Sequence, residues 1–351
     1  MRVAIVSGPR AAELMGMELA ELHLLEALRA ARTDVELDVR VVGRRSARRH
    51  ARRLHGRWIP APQGALPSLA FGRSDIVHLL GLDLPPPRRK PFIAMVHDLA
   101  PLHYDDEGEL PPWTNEIVER AAFILAPSAF TAGELRRHFA VSRERVRVIG
   151  NGPALIARDA EPLPPGELER YGIEPPFILR YGGYTKRKNV PLLLNAWARV
   201  PFGTLVLAGV PQNAREQTLS EAPSLERVVV LDYVPEALLA RLLRSAAALA
   251  STSSYEGFGL PLLEAMAAGT AVVAVSTPFV REVCGDAALL VSEDHEALGA
   301  ALHRLFADEA LGACLRAAGI SRAACFTWSK AASATLDAYQ MALGGAYASP
   351  S

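Results

Sequence analysis

Short unbroken apolar runs, each followed by a segment of helical periodicity, recur along almost the whole chain, and this alternation limits its fold more than any other feature. In the first half the runs are Val3–Val6, Leu37–Val41, Ile76–Leu79, Phe92–Val96, Phe123–Ala126 and Val146–Ile149. In the second half they are Phe177–Tyr181, Thr204–Leu207, Val228–Leu231, Ala247–Ala250, Ala271–Val275 and Ala288–Val291. A strand with one wet face alternates apolar and polar residues, whereas a continuous run marks a strand covered on both faces. Covered strands alternating with helices predict parallel sheets joined by crossover helices. The 351 residues, 50% of them hydrophobic, suffice for two such domains.

Arg158–Gly166 and Glu174–Pro176 are rich in proline and have no apolar period, which predicts a linker. The expected division is 1–160 for a first α/β domain, 161–176 for the linker, 177–326 for a second α/β domain, and 327–351 for a helix and tail. The helical pattern in that last part runs from Ser329 to Leu343. Met1–Gly8 is too short an apolar run for a secretion signal, and no stretch approaches the ~20 residues of a membrane span. Cys284, Cys314 and Cys325 have neither zinc-site nor disulfide-framework spacing, which fits a reducing compartment. The expected location is the cytoplasm. Lys plus Arg and Asp plus Glu number 38 each, so no global field favours a polyanion and no nucleic-acid role is expected.

The most informative stretch is Ser253–Val275. A strand ends near Ala250, a loop holding Gly257 and Gly259 follows, and a helix begins with Pro261 in its first turn and ends at Gly269. Such a unit aims free backbone N–H groups at an anion beyond the sheet's carboxyl edge. Glu256 and Glu264 bracket the loop with seven residues between them. Carboxylates beside a phosphate would repel it, so hydroxyls, for which they are strong acceptors, are their expected targets. As a bare helix-start acid, Glu264 would merely complement the helix dipole. In Arg180–Trp197 a glycine turn, Gly182-Gly183, precedes Lys186, Arg187 and Lys188 and then a helix with Asn189 as its expected N-cap. Cations at a helix start oppose the dipole, a cost that a recruited diphosphate would offset. A solvated basic turn is the plainer alternative.

These stretches resemble the GT-B glycosyltransferases of the retaining family-four type. The resemblance runs through Val96–Leu102, Pro127–Thr131, Asn151-Gly152, Gly182–Asn189, Glu256–Thr270, Glu282–Ala288 and Thr327-Trp328. It implies two Rossmann-like domains facing across a cleft, with the C-terminal helix crossing back to the first. It also implies transfer from a nucleoside-diphosphate sugar to a glycan, lipid-linked or small-molecule acceptor, with no metal and no further cofactor. By the same resemblance, Glu264 would bind the donor ribose, and Glu256 the donor sugar, with Gly257, Phe258, Gly259 and Leu260 alongside. Lys188 and Arg187 would neutralise the departing diphosphate next to Gly182 and Gly183. His97 would face the sugar from the first domain, and Gly16 would lie in a glycine loop before the first helix. Many family members carry a basic residue at the position of Gly183, so one diphosphate cation is missing here or replaced by Arg187. A sugar-nucleotide epimerase and a catalytically silent donor-binding subunit are the alternatives. Asp105-Asp106 lies in a polar loop and is not assigned to a metal.

Arg44-Arg45, Arg48-Arg49 and Arg52-Arg53 recur every four residues, with Ala47, Ala51, Leu54 and Trp58 as a thin apolar stripe beside them. On one helix this is a basic amphipathic surface, and Arg44–Trp58 is expected to rest on the inner face of a membrane or to hold an anionic acceptor. A solvated helix is the simpler reading.

Overall fold

A computed structural model describes residues 1–8, 16–31, 34–62, 70–154, 159–220 and 222–346. The chain divides into two compact units, Met1–Gly152 with Thr327–Ser351, and Pro153–Phe326. The first unit contains β1 (Arg2–Ser7), α1 (Gly16–Ala30), β2 (Glu36–Gly43), α2 (Ala47–Arg53), β3 (Arg57–Pro60), β4 (Ile76–Leu79), β5 (Phe92–Met95), α3 (Thr114–Arg120), β6 (Phe123–Ala126), α4 (Ala129–Phe139) and β7 (Val146–Val148). The second contains α5 (Pro165–Glu169), β8 (Phe177–Tyr181), α6 (Val190–Trp197), β9 (Thr204–Ala208), α7 (Gln212–Ser220), β10 (Val228–Leu231), α8 (Glu236–Ser245), β11 (Ala248–Ser251), α9 (Leu260–Ala268), β12 (Ala271–Val275), α10 (Pro278–Cys284), β13 (Leu289–Val291), α11 (His295–Ala307) and α12 (Glu309–Ala323). The last helix, α13 (Trp328–Ala346), belongs to the first unit.

The first sheet has seven strands in the order β3-β2-β1-β4-β5-β6-β7, and the second has six in the order β10-β9-β8-β11-β12-β13. Every pairing is parallel. The unbroken apolar runs follow from this. Along β1, Val3 and Ile5 enter the core beneath α1 and α13, while Ala4 and Val6 enter the core on the opposite face with Ile117 and Leu135. Neither face is left to solvent, so no polar alternation is needed.

The C-terminal helix completes the first of these cores. Ala331, Ala332, Leu336, Ala338, Tyr339 and Ala342 pack with Leu24, Leu25 and Leu28 of α1 and with the sheet. Tyr339 Oη and His78 Nδ1 on β4 form a hydrogen bond of 2.7 Å between two side chains that are both 0% exposed. Burial pulls the His78 pKa down to about 3, so the ring is neutral. Gly152 is obligatory at the point where α13 begins, because a Cβ there would meet the backbone nitrogen of Trp328 at 2.7 Å.

Three expectations change. The arginine stripe is not one long helix: α2 has 7 residues, and Arg57–Pro60 forms the edge strand β3. Ala47, Ala51 and Leu54 are buried in the core, and Trp58 donates from Nε1 to Gly43 O at 3.0 Å. The apolar stripe thus faces inward, since a short helix beside a sheet edge must cover that edge. Second, the stretch expected as a linker lies in the second unit and forms the short helix α5, from which Glu167 pairs with Arg241 at 2.9 Å. Third, Gly16 opens α1 instead of preceding it, and residues 9–15 lie outside the described residues.

The Tyr339–His78 bond ties the last helix to the middle of the first sheet. Tyr339→Phe should orphan the imidazole and lower the unfolding free energy by about 1–3 kcal/mol, read by urea denaturation.

Candidate active site

In the second sheet the chain moves outward from β8 through β9 to β10, then returns to lay β11 on the other side of β8. The loops leaving the carboxyl ends of β8 and β11 therefore diverge from neighbouring strands. In open α/β sheets this reversal of strand order is where ligands bind. The two motif segments are the loops at that point.

After β8 the chain turns on Gly182, whose φ of 102° favours glycine. Arg180, 4% exposed, holds the turn from below. Its Nη1 donates to Gly182 O at 2.9 Å, its Nη2 donates to Gly183 O, and its guanidinium lies 4.1 Å from the centre of the Tyr184 ring. A Cβ on Gly183 would meet only Lys188 Cε, at 3.6 Å, so a side chain fits there. Lys186–Lys188 form a 3-10 turn, and Asn189 sits in the left-handed region at φ 45°. Its side chain does not cap α6 as expected; it donates to Glu293 Oε1 at 2.9 Å, because the left-handed backbone turns it away from the helix start.

The loop after β11 is fastened to that basic turn. Thr252 Oγ1 donates to Lys188 O at 2.9 Å. Ser254 donates to Arg187 O from its backbone nitrogen at 2.8 Å and from its hydroxyl at 3.1 Å. Arg187 Nη1 donates to Tyr255 O at 3.1 Å and to Glu256 Oε2 at 2.8 Å, while Lys188 Nζ donates to Glu256 Oε1. Each oxygen of Glu256 thus carries its own cation. Burial pushes the Glu256 pKa up, but the charges of Lys188 and Arg187 outweigh it and hold the carboxyl at about 2. Burial pulls the Lys188 pKa below its usual value, and the neighbouring Arg187 adds to this against the opposing pull of Glu256. Gly259 (φ 97°) then admits the chain to α9, with Pro261 in the first turn and Gly269 (φ 74°) as the C-cap.

Glu264, 5% exposed on α9, accepts a 2.5 Å hydrogen bond from Tyr181 Oη at the end of β8. Burial, and then the charge of Glu264, raise the Tyr181 pKa, so the phenol remains a donor. A small hollow is lined by Arg180, Tyr181, Lys188, Glu256, Gly259 and Pro261, among others. Glu264 adjoins it through Tyr181 and is not itself in the lining.

The structure therefore brings Lys188, Arg187, Glu256, Gly259 and the Gly182-Gly183 turn together, with Glu264 one side chain away. Gly257 is buried in the connecting loop, and Leu260 opens α9 half-buried. The Phe258 side chain belongs to the packing, edge-on to Phe326 with ring centroids 5.7 Å apart. His97 lies in the first unit beyond the end of β5, with Nε2 3.1 Å from Leu80 O and 3.8 Å from Glu21 Oε1. Behind Glu21 are Ser7 and His50, whose Oγ and Nε2 are 3.2 Å apart. Sequence reasoning missed Arg180, Tyr181 and Glu21. For Arg180 a signal existed: it is the one charged residue in the apolar strand Phe177–Tyr181. For Glu21, on the amphipathic α1, there was none.

Residues 169–322 match the model of the family described as glycosyl transferases group 1, and residues 16–153 match that of glycosyltransferase family 4. The chain is 29% identical over 240 residues to the O-antigen chain mannosyltransferase B of Escherichia coli, covering 65% of this chain and 62% of that protein's length. It is 27% identical over 320 residues to D-inositol 3-phosphate glycosyltransferase 1 of Catenulispora acidiphila, covering 80% and 75% of the two chains. Among solved structures, HepE of Anabaena in complex with UDP and glucose superposes with a TM-score of 0.76 at 16% identity, over 97% of this chain and 99% of that one. That likeness establishes the GT-B fold, two Rossmann-like domains.

Because the folded pKa of Glu256 lies below its usual 4.5, the pairing stabilises fully above about pH 4.5 and is lost as pH falls through about 2. Glu256→Gln should lower the unfolding free energy by about 3 kcal/mol at neutral pH, since it strands two half-buried cations. In urea titrations this deficit should stay level down to about pH 5 and shrink below that.

Proposed function

We propose that this chain, a group 1 glycosyltransferase by its two matching segments, moves a hexose from a nucleoside-diphosphate sugar to an acceptor hydroxyl with retention at the anomeric carbon. The observation that carries this is Glu256 held between Arg187 and Lys188 at the strand reversal of the second sheet. Arg180, Arg187 and Lys188 approach the hollow and its rim against the single carboxylate of Glu256. This excess of positive charge favours an anion, and a departing diphosphate supplies one.

In such a transfer the bond from the anomeric carbon to the phosphate oxygen breaks while a bond to the acceptor oxygen forms. Positive charge grows on the sugar and negative charge on the diphosphate. Lys188 and Arg187 are preorganised for the second charge, the role for which fixed cations and dipoles matter most in catalysis. This chemistry calls for no metal. Glu264 would accept from the ribose hydroxyls, and Glu256 from the sugar. His97 is assigned to the sugar on the family resemblance alone. Glu256 is a poor candidate for an enzyme nucleophile, since both its oxygens are engaged and its pKa of about 2 makes it a weak base. Front-face attack follows, in which an oxygen of the leaving phosphate takes the acceptor's proton. Mannosyl donors are the first to try, given the E. coli relative's name.

The acceptor is a glycan, a lipid-linked saccharide or a small molecule. Arg44, Arg45, Arg48, Arg49, Arg52 and Arg57 are exposed around α2. We assign this surface to anionic headgroups, with charge as the only attraction because the apolar stripe is in the core. Among the described residues no helix is long and apolar enough to cross a membrane.

Lys188→Ala should lower kcat by about 10²–10³-fold, whereas Glu264→Ala should chiefly raise the donor KM. Wild-type kinetics in both would refute the assignment. In flotation assays the protein should bind vesicles containing phosphatidylglycerol and lose this in 0.5 M salt or on replacement of Arg48, Arg49 and Arg52 by Ser (about a Debye length of 10 Å at 0.1 M falls to a few Å at high salt). Equal flotation with neutral vesicles would exclude an electrostatic contact.

A further inference from the structure

We propose a divalent transition-metal site, best suited to zinc, formed by His103, Glu134 and His138 in the first unit. His103 follows the 3-10 turn Ala100–Leu102 in the loop after β5. Glu134 and His138 are four residues apart on α4 and so project from one helical face. The Glu134 side chain is 4% exposed, while each imidazole is 31% exposed. Both imidazoles direct Nε2 at the same carboxylate oxygen, Oε2 of Glu134, from 2.6 Å for His103 and 3.6 Å for His138. The two rings meet edge-on, with centroids 5.3 Å apart and planes at 78°. One ligand atom from each residue can be chosen so that all lie within 4.8 Å of one another.

A shared proton accounts for the contact of His103 but not for that of His138, whose 3.6 Å is beyond hydrogen-bonding range. A cation accounts for both. Zinc binds imidazole nitrogen and carboxylate oxygen at about 2.0–2.2 Å, which sets tetrahedral ligand atoms roughly 3.3 Å apart. The two observed separations bracket that spacing, and small rotations of the exposed imidazoles close the difference. Two imidazoles and a carboxylate form a donor set suited to zinc, with a fourth position left to solvent. Arg137 Nη1 donates to Glu134 Oε1 at 2.7 Å, which anchors the other carboxylate oxygen and leaves Oε2 turned to the imidazoles. An ion there ties the loop that carries His97 to α4. The sequence reading assigned no metal ligands: His103 is separated from Glu134 by β6, and Glu134 and His138 alone make only a pair.

The test is titration of the full, chelator-treated protein with Co2+, followed by its d–d absorption, and with Zn2+ by calorimetry, at about pH 8, where imidazole is ordinarily neutral. One equivalent should bind, with a tetrahedral cobalt spectrum and a zinc-dependent rise in Tm. His103→Ala and His138→Ala should each weaken binding at least about 100-fold, since loss of a mere outer-shell partner already costs 10–100-fold. Circular dichroism checks that these surface variants fold. His303→Ala, which removes an exposed histidine of the second unit, should leave the site intact. No uptake by the wild type, or undiminished uptake in both His103→Ala and His138→Ala, would overturn the proposal.

Discussion

The second unit depends on one carboxylate shared by two cations. Glu256 comes from the loop after β11, and Arg187 and Lys188 come from the turn after β8. Apart from the short 3-10 turn Lys186–Lys188, neither loop has a helix or strand of its own to hold it, and the ion pairs, with the hydroxyl and backbone hydrogen bonds beside them, make the two loops one structure. Each charge is half-buried, so each is costly alone and tolerable only with its partner. The same arrangement leaves cationic charge in excess at a strand reversal, the feature on which the proposed diphosphate donor rests. The side chains that join the two loops are the same ones proposed to act on the donor, so the site cannot loosen without loss of stability.

Beneath this pair, Arg180 and Tyr181 act through charge-assisted hydrogen bonds. Arg180 fixes the carbonyls of Gly182 and Gly183, and Tyr181 fixes Glu264. Both side chains belong to the last two residues of β8, where a strand leaving the core can turn polar groups toward the loops. Gly183 has room for a side chain, so its glycine answers no steric demand. The cation that the family resemblance leads one to expect there has substitutes close by, since Arg180 lines the hollow and Arg187 clasps Glu256. The first unit uses the same economy. Its last helix is held by apolar packing and by one buried hydrogen bond between Tyr339 and His78, two residues 261 positions apart.

Much of this was legible beforehand. Apolar runs located every strand except β3, because Arg57–Pro60 opens on an arginine and closes on a proline, so it does not stand out from the arginine-rich stretch before it. The helix from Leu260 to Ala268 was readable to its ends, since Pro261 and Gly269 mark them by their own backbone preferences. The arginine pairs lie at the surface as their period suggests, but the apolar stripe beside them turns to the core: a stripe of Ala47, Ala51 and Leu54 looks the same whether it covers a sheet edge or a membrane. Phe258 is expected near the sugar through its backbone, while its side chain packs on Phe326, a partner 68 positions away that no local pattern announces.

By itself the sequence determined the layered α/β architecture and the two loops that bear charge, because strand burial and helix termini are written in local composition. Tertiary structure alone decided which charges meet. That Glu256 pairs with Lys188, that Tyr181 reaches Glu264, and that His103 stands over Glu134 and His138 all follow from strand order and crossovers. These contacts join residues 31 to 83 positions apart, and no periodicity reaches that far. Electrostatic attraction acts through space, and only the folded chain sets the distances.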